Sequence, residues 1–205
     1  MCGTRTYVAL RCDLADLPAH RPAAIPLEMT SRECPASEVF DAEASTAGAT
    51  DYLEVMRRRA WCQAGIEQLF VADGPDRRPA YCQWLVRNRD QWRMQELAPG
   101  HYAVLRPDEV MLEGAYTFTA FRRKGAMVDA MWQLLRRARD EGARTAITYV
   151  GQSNTASLRG CAAVGFKVDH VRRSMPRPAW RRRVALPVDD VAREAWDQAL
   201  GVGRR

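Results

Sequence analysis

The seven residues Phe121-Arg122-Arg123-Lys124-Gly125-Ala126-Met127 place three cations and a glycine between a β-rich run and an amphipathic one. A strand that ends in such a turn and opens a helix can aim consecutive backbone N–H groups at one point, where the helix dipole and the basic side chains add positive charge. The chemistry this suits is capture of a phosphate or pyrophosphate. Alone, the turn licenses no more than an anion at a helix start. Upstream, Glu113 falls inside the strand-like run Glu109–Phe118, where a carboxylate is costly unless it is partnered or opens on a solvated cleft. Glu109, at the start of that run, is the reserve carboxylate. Downstream, the stretch from Asn154 through Ser157 and Cys161 to Gly165-Phe166 reads as an Asn-capped helix closed by Gly-Phe.

The elements that hold these residues follow from periodicity. Met127, Met131, Leu134, Leu135 and Ala138 fall on one face of a helix that begins after Gly125 and stops near Gly142. Glu109–Phe118, Thr145–Val150 and Phe166–Val171 read as strands. Strand, helix, strand, helix, strand predicts an α/β fold with a parallel pair in its middle. Glu67–Ala72 and Ala80–Val86, joined by the polar turn Asp73–Pro79, predict a hairpin. Between Asp51 and Ala64, Leu53, Val55, Met56, Ala60 and Trp61 recur near helical spacing, and Gly65 ends the helix. Up to about Ala49 the pattern is irregular, with Pro18, Pro22, Pro26 and Pro35 and one strand-like run, Thr6–Leu10, read as an edge strand before a meandering arm. Beyond Ser174 the chain is rich in Arg and Pro, until Val188–Leu200 shows weak helical spacing.

A chain of 205 residues suits one core better than two. With 47% apolar and 27% charged residues it is an ordinary globular composition. No run approaches the roughly 18 apolar residues of a membrane span, and Asp13 and Asp16 interrupt any leader-like segment, so a cytoplasmic protein is expected. Cys2, Cys12, Cys34, Cys62, Cys82 and Cys161 lie far apart with no C-x-x-C pair and no nearby His, which predicts buried, reduced thiols and no metal site. The net charge of +6 comes almost entirely from Arg, concentrated at Arg172, Arg173, Arg177 and Arg181–Arg183. It favours acidic partners, nucleic acid and phosphorylated cofactors among them.

Two motifs together are more specific than either. Arg122–Met127 resembles the Arg/Gln-x-x-Gly-x-Gly/Ala phosphate loop of the GNAT superfamily of acyl-CoA N-acyltransferases, and Asn154–Phe166 resembles its Asn-x-x-Ser/Ala-x-Arg...Gly-Phe helix, in the family's order and spacing. The resemblance covers roughly Glu109–Val171. It implies a mixed central sheet with two splayed parallel strands and flanking helices, an α/β (α+β) class in which the splay holds acetyl-CoA or another acyl-CoA. By that analogy Tyr116, Thr117 and Phe118 pair with pantetheine amides. Arg122, Arg123, Lys124, Gly125, Ala126 and Met127 bind the pyrophosphate, and Asn154 and Ser157 flank the thioester end. The domain plan is one GNAT-like domain, with an irregular arm over 1–49, an acyltransferase core over 50–175 and a basic extension with a short helix over 176–205.

The implied reaction is direct attack of a primary amine on the thioester carbonyl, which needs a base for the amine and a donor for the departing thiolate. Glu113 is the candidate base. Two positions depart from the pattern: Met127 replaces the loop's final Gly or Ala, and Cys161 replaces the Tyr that many members place seven residues after Asn154. Cys161, Tyr149 and Tyr116 are therefore the candidate donors. Three readings stay open: an N-acetyltransferase for an unidentified small-molecule or protein amine, with a homodimer possible; a non-catalytic acyl-CoA sensor of the same fold; and a nucleic-acid binder using the late arginines, for which only Trp180 offers stacking. Trp61, Trp84 and Trp92 are aromatics for an acceptor pocket or for the core.

Overall fold

The computed structural model describes residues 6–32, 40, 43, 48–75, 77–175 and 182–202. Cys2, Cys34, Pro35, Arg177, Trp180 and Arg181 lie outside the described residues. The strands are β1 (Thr6–Asp13), β2 (Glu28–Arg32), β3 (Leu69–Asp73), β4 (Pro79–Arg87), β5 (Glu109–Thr117), β6 (Thr145–Gly151), β7 (Lys167–Met175) and β8 (Arg182–Leu186). The helices are α1 (Ala49–Gln63), α2 (Gln91–Leu97), α3 (Ala126–Asp140), α4 (Thr155–Ala163) and α5 (Asp190–Leu200). The strands form one sheet in the order β2-β3-β4-β5-β6-β1-β7-β8. All neighbours are antiparallel except β5 and β6, the expected parallel pair.

The sheet separates two apolar layers. On one face α3, α4 and α5 cover Leu10, Leu85, Leu112 and Val150; on the other, α1 and α2 cover Val71, Trp84, Met111 and Ile147. Strict alternation along β6, with Ala146 and Val150 in the first layer and Ile147 and Tyr149 in the second, shows why a strand buried on both faces reads as a continuous apolar run. Among the described residues no helix is long and apolar enough to cross a membrane. Cys12, Cys62, Cys82 and Cys161 are buried thiols, and burial pushes the Cys12 thiol up to about 11.

Five expectations are corrected. The first strand is not an edge: β1 lies between β6 and β7, and Val8, Ala9 and Leu10 are fully buried. The arm after it contains β2, paired with β3, and its stretch 18–23 is held along α3. Trp132 Nε1 donates to the Pro18 carbonyl at 2.8 Å, His20 stacks on Trp132, and Asp129 accepts from His20 Nε2 and the Ala23 N–H, each at 2.8 Å. The connection through Trp92 contains α2, and the Arg-rich tail contributes β8. On α1 the buried positions include Val55, Arg58 and Cys62, while Leu53 is 69% exposed. An arginine is what this helix turns inward.

Candidate functional site

The β5–β6 ladder runs for three residue pairs, Glu109–Thr145, Val110–Ala146 and Met111–Ile147, and stops. The cause lies one strand over. Between Cys82 and Trp84 the β4–β5 register slips, because Gly114 and Ala115 together face the single residue Gln83. This is a β-bulge with Gly114 in the left-handed region at φ +69°. A Cβ there would lie 2.8 Å from both the Trp61 and Trp84 rings. Those two indoles meet edge to face at 5.2 Å above the bulge, and Trp84 Nε1 donates to the Ile66 carbonyl. Trp61 and Trp84 are thus packing residues of the bulge, whereas Trp92 is half exposed.

Arg58 of α1 locks the bulge from the same side. Its Nε donates to the Gly114 carbonyl at 2.8 Å and its Nη2 to the Ala115 carbonyl at 2.6 Å, while Nη1 reaches the Glu54 carbonyl and Oε2. The guanidinium also lies over the Tyr116 ring. A buried arginine needs this density of acceptors to be tolerated. In sequence, Glu54 and Arg58 look like a solvated i,i+4 helix pair, and only the tertiary position of the bulge shows otherwise.

Where β5 and β6 part, a cleft of about 210 Å³ opens through the sheet. It is smaller than pockets for drug-sized ligands, roughly 300–1,000 Å³, and suits a thin, extended group. Glu113, Gly114, Arg58 and Tyr149 line it toward α1; Met127, Met131, Ser157 and Cys161 line it toward α3 and α4, with Asn154 beside them. Of the residues singled out in the sequence, Glu113, Tyr149, Cys161, Met127, Asn154 and Ser157 therefore share one cleft. A larger hollow of about 540 Å³ opens at the zipped end of the β5–β6 pair. Its Arg87 and Arg137 are already paired with Glu141.

The side chains at the cleft are in unequal states. Tyr149 is 8% exposed, and its hydroxyl oxygen accepts from the Ala103 N–H at 3.2 Å, leaving its own O–H proton. Cys161 is 1% exposed, and burial pushes its thiol up to about 12. Asn154 caps α4, its Oδ1 accepting from the Ser157 N–H at 3.1 Å. Met127 lies flat on α4: a Cβ added to Gly160 would meet its sulfur at 2.9 Å. The bulk that departs from the loop pattern is thus absorbed by a glycine on the facing helix, away from the loop backbone.

The loop has the geometry for an anion. Arg123 and Gly125 both take positive φ, 62° and 81°, so successive peptide groups turn inward. Gly125 is the N-cap of α3 and offers no side-chain cap to the first-turn amides. Arg123 and Lys124 are exposed. The acidic residue of that turn, Asp129, is buried and turned to the arm. Arg122 is not gathered with them. It forms a two-pronged pair with Asp51 at 2.8 and 3.0 Å, which lowers the Asp51 carboxyl through that hydrogen bond, and its Nε donates to the Thr117 carbonyl.

Beyond the bulge, some expected partners for an extended ligand are spent. The Phe118 N–H goes to the Ala80 carbonyl, and the Thr117 carbonyl takes Arg122. The Tyr116 hydroxyl donates to Glu43 at 2.9 Å, and burial and that carboxylate raise it. Glu109, the reserve base, is 4% exposed and accepts from Arg11 Nη1, Arg106 Nη2 and the Arg106 N–H. Burial alone would raise its carboxyl, yet these donors bring it below the usual range. Of the late arginines, the two whose side chains are described are already placed: Arg172 is buried and Arg173 pairs with Asp189 at 3.2 Å.

Residues 67–166 match the Acetyltransferase (GNAT) family. No curated protein matches the chain in sequence. Among solved structures, a GNAT-family acetyltransferase from Colwellia psychrerythraea is similar with a TM-score of 0.54 at 12% identity, over 82–84% of this chain in this and the next cases, and 56% of its own. One from Novosphingobium aromaticivorans gives 0.53 at 12% identity, over 62% of its own length. The GCN5-related glucosamine N-acetyltransferase region of a fungal multi-domain GH3 β-N-acetylglucosaminidase gives 0.55 at 13% identity, over 82% of this chain and 20% of that one. The chain thus spans less than two thirds of these proteins' lengths. The splayed pair, the bulge, the inward-turned loop and the sequence match agree, and residues 67–166 form an acetyltransferase domain of the GNAT family.

Proposed function

We propose that the protein is an N-acetyltransferase that moves an acetyl group from acetyl-CoA to a primary amine by direct attack on the thioester. The observation that carries this reading is the cleft itself: a parallel pair that unzips after three residues and sets Glu113 on one side and Cys161 on the other. The donor fits the residues present. The first-turn amides of α3, with Arg123 and Lys124, would hold the pyrophosphate, and the unpaired stretch of β5 and β6 would flank the pantetheine arm near Asn154 and Ser157. Arg122 serves the loop by bracing it on Asp51.

In the reaction, Glu113 accepts a proton from the attacking ammonium, directly or through one water, because only the neutral amine has a lone pair. Nitrogen bonds to the thioester carbonyl carbon, and charge develops on its oxygen. Arg58, bound to the bulge carbonyls at the wall of the cleft, is the cation placed to stabilise that charge. The added nitrogen loses its remaining extra proton to water in the cleft, collapse breaks the carbon–sulfur bond, and the CoA sulfur leaves with the electron pair. Cys161, holding its proton to about 12, is a hydrogen-bond donor to that sulfur more than an acid, since a thiolate of pKa about 8.5 does not readily take a proton from it. The Tyr149 O–H is the second donor.

The retentive Cys161 thiol also favours a binding-only reading, an acyl-CoA sensor with the same cleft. The separating experiment is thiol release from acetyl-CoA over a broad amine panel, beside calorimetric titration of acetyl-CoA. Amine-dependent release supports the enzyme; binding without release supports the sensor; no binding ends both.

A further inference from the structure

Arg172, on β7, is 8% exposed, and its surroundings do not answer its charge. Its Nη2 donates to the Gly100 carbonyl at 3.2 Å, while Nε and Nη1 are buried without a hydrogen-bond partner. Among the described residues none offers it a carboxylate. A guanidinium cannot shed its proton to escape the cost, so this side chain weakens the ligand-free protein. Its position relates it to the cleft. The guanidinium carbon lies 5.2 Å from the centre of the Tyr149 ring, and Tyr7 is its register partner on β1. Tyr7 and Tyr149 both line the cleft, and Tyr149 shares the sheet face that carries Met111 and, two residues on, Glu113.

The fork chemistry is complete. Nη2 has two protons, one paired in direction with Nε–H and the other with a proton of Nη1. Whichever of them the Gly100 carbonyl takes, the other still forms an intact two-pronged edge with an unsatisfied nitrogen. A planar carboxylate matches such an edge. We propose that Arg172 anchors a carboxylate on the acceptor, so that the acceptors are small primary amines that also carry a carboxylate, with the amine reaching across the Tyr149 ring toward Glu113. This assignment rests on the acyltransferase reading.

The test compares 5-aminopentanoate, pentylamine and a matched aminoalkylphosphonate as acceptors, with a parallel thermal-melting titration using glutarate. The aminocarboxylate is expected to have a kcat/KM at least about tenfold above pentylamine, the scale of one charge-assisted contact. In Arg172→Met and Arg172→Lys the ratio falls toward unity through KM. Glutarate raises the melting temperature of the unsubstituted protein and not of Arg172→Met, and Arg172→Met without ligand melts no lower than its parent. Equal kcat/KM for the aminocarboxylate and pentylamine, with the same glutarate shift in Arg172→Met, overturns the subsite and leaves the acyltransferase reading standing. A phosphonate preferred over the carboxylate overturns the assignment of ligand class. Glutarate stabilisation that depends on Arg172, with no amine turned over, supports the anion subsite and removes the acyltransferase reading instead. If Arg172→Met does not fold, the Arg172→Lys ratios and melting shifts decide alone.

Discussion

Glu109 and Glu113 occupy one face of the same strand, and β5 treats them oppositely. Glu109 sits opposite Thr145 where β5 is zipped to β6, with Arg11 and Arg106 closed around it. Glu113 sits two residues past the last ladder pair, beside the bulge and at the wall of the cleft. Residue type and strand are shared; the fork between them separates a carboxylate closed in by arginines from one that lines the cleft and is the base we propose.

The sharpest way to break this contrast is to neutralise each in turn. Glu113→Gln is expected to lower kcat by about 10²- to 10⁴-fold, the range for removal of a general base, and to flatten the acidic limb of the pH–rate profile, with little change in melting temperature. A variant with full turnover across that pH range would end the assignment. Glu109→Gln should do the reverse, costing about 2–3 kcal/mol in urea unfolding because two arginines lose a shared partner, while the folded fraction turns over normally. Its pH dependence has a definite sign. The folded carboxyl lies below its unfolded value, so the stabilisation is present above about pH 4.3 and is lost as pH falls through the folded value. Acid melts of the parent should therefore lose stability below that point more steeply than those of Glu109→Gln.

Smaller effects test how the open side is built. Gly160→Ala should change stability by no more than about 1 kcal/mol, because displacing the flexible Met127 thioether offsets the helix preference for Ala over Gly, and the same substitution should become more favourable beside Met127→Ala, measured as a double-mutant cycle. Strict additivity would show that Met127 does not rest on Gly160. Asp51→Asn should change stability least, by about 0–1 kcal/mol for a partly exposed pair. Its useful readout is the KM for acetyl-CoA, which changes only if the Asp51 brace matters to the loop.

The cleft was legible because its parts are local: a turn whose glycine needs positive φ, an Asn cap, a Gly-Phe helix stop and a carboxylate inside a strand. What escaped was long-range. Arg58 reads as a surface residue until the bulge carbonyls of a strand more than fifty residues later come to meet it. For the same reason Leu53 reads as core and is exposed. β1 reads as an edge because its two partners lie beyond residue 144, and β2, α2 and β8 carry too little apolar periodicity to stand out from loops. Arg122 shows the limit even of a motif: the backbone holds the expected loop, while the side chain answers to Asp51.

The place of β1 has a consequence for how the chain is made. β1 precedes every other described strand and pairs only with β6 and β7, on either side of it. At 5–20 residues per second those partners leave the ribosome about 7–30 seconds later. During that interval its fully buried Val8, Ala9 and Leu10 have no strand to cover them, and the β5–β6 pair and the β7–β8 pair are not joined to each other without it. Closure of this half of the sheet is a late, non-local step of the kind that sets slow folding rates, and the N-terminal segment is the piece a nascent chain must keep from sticking elsewhere.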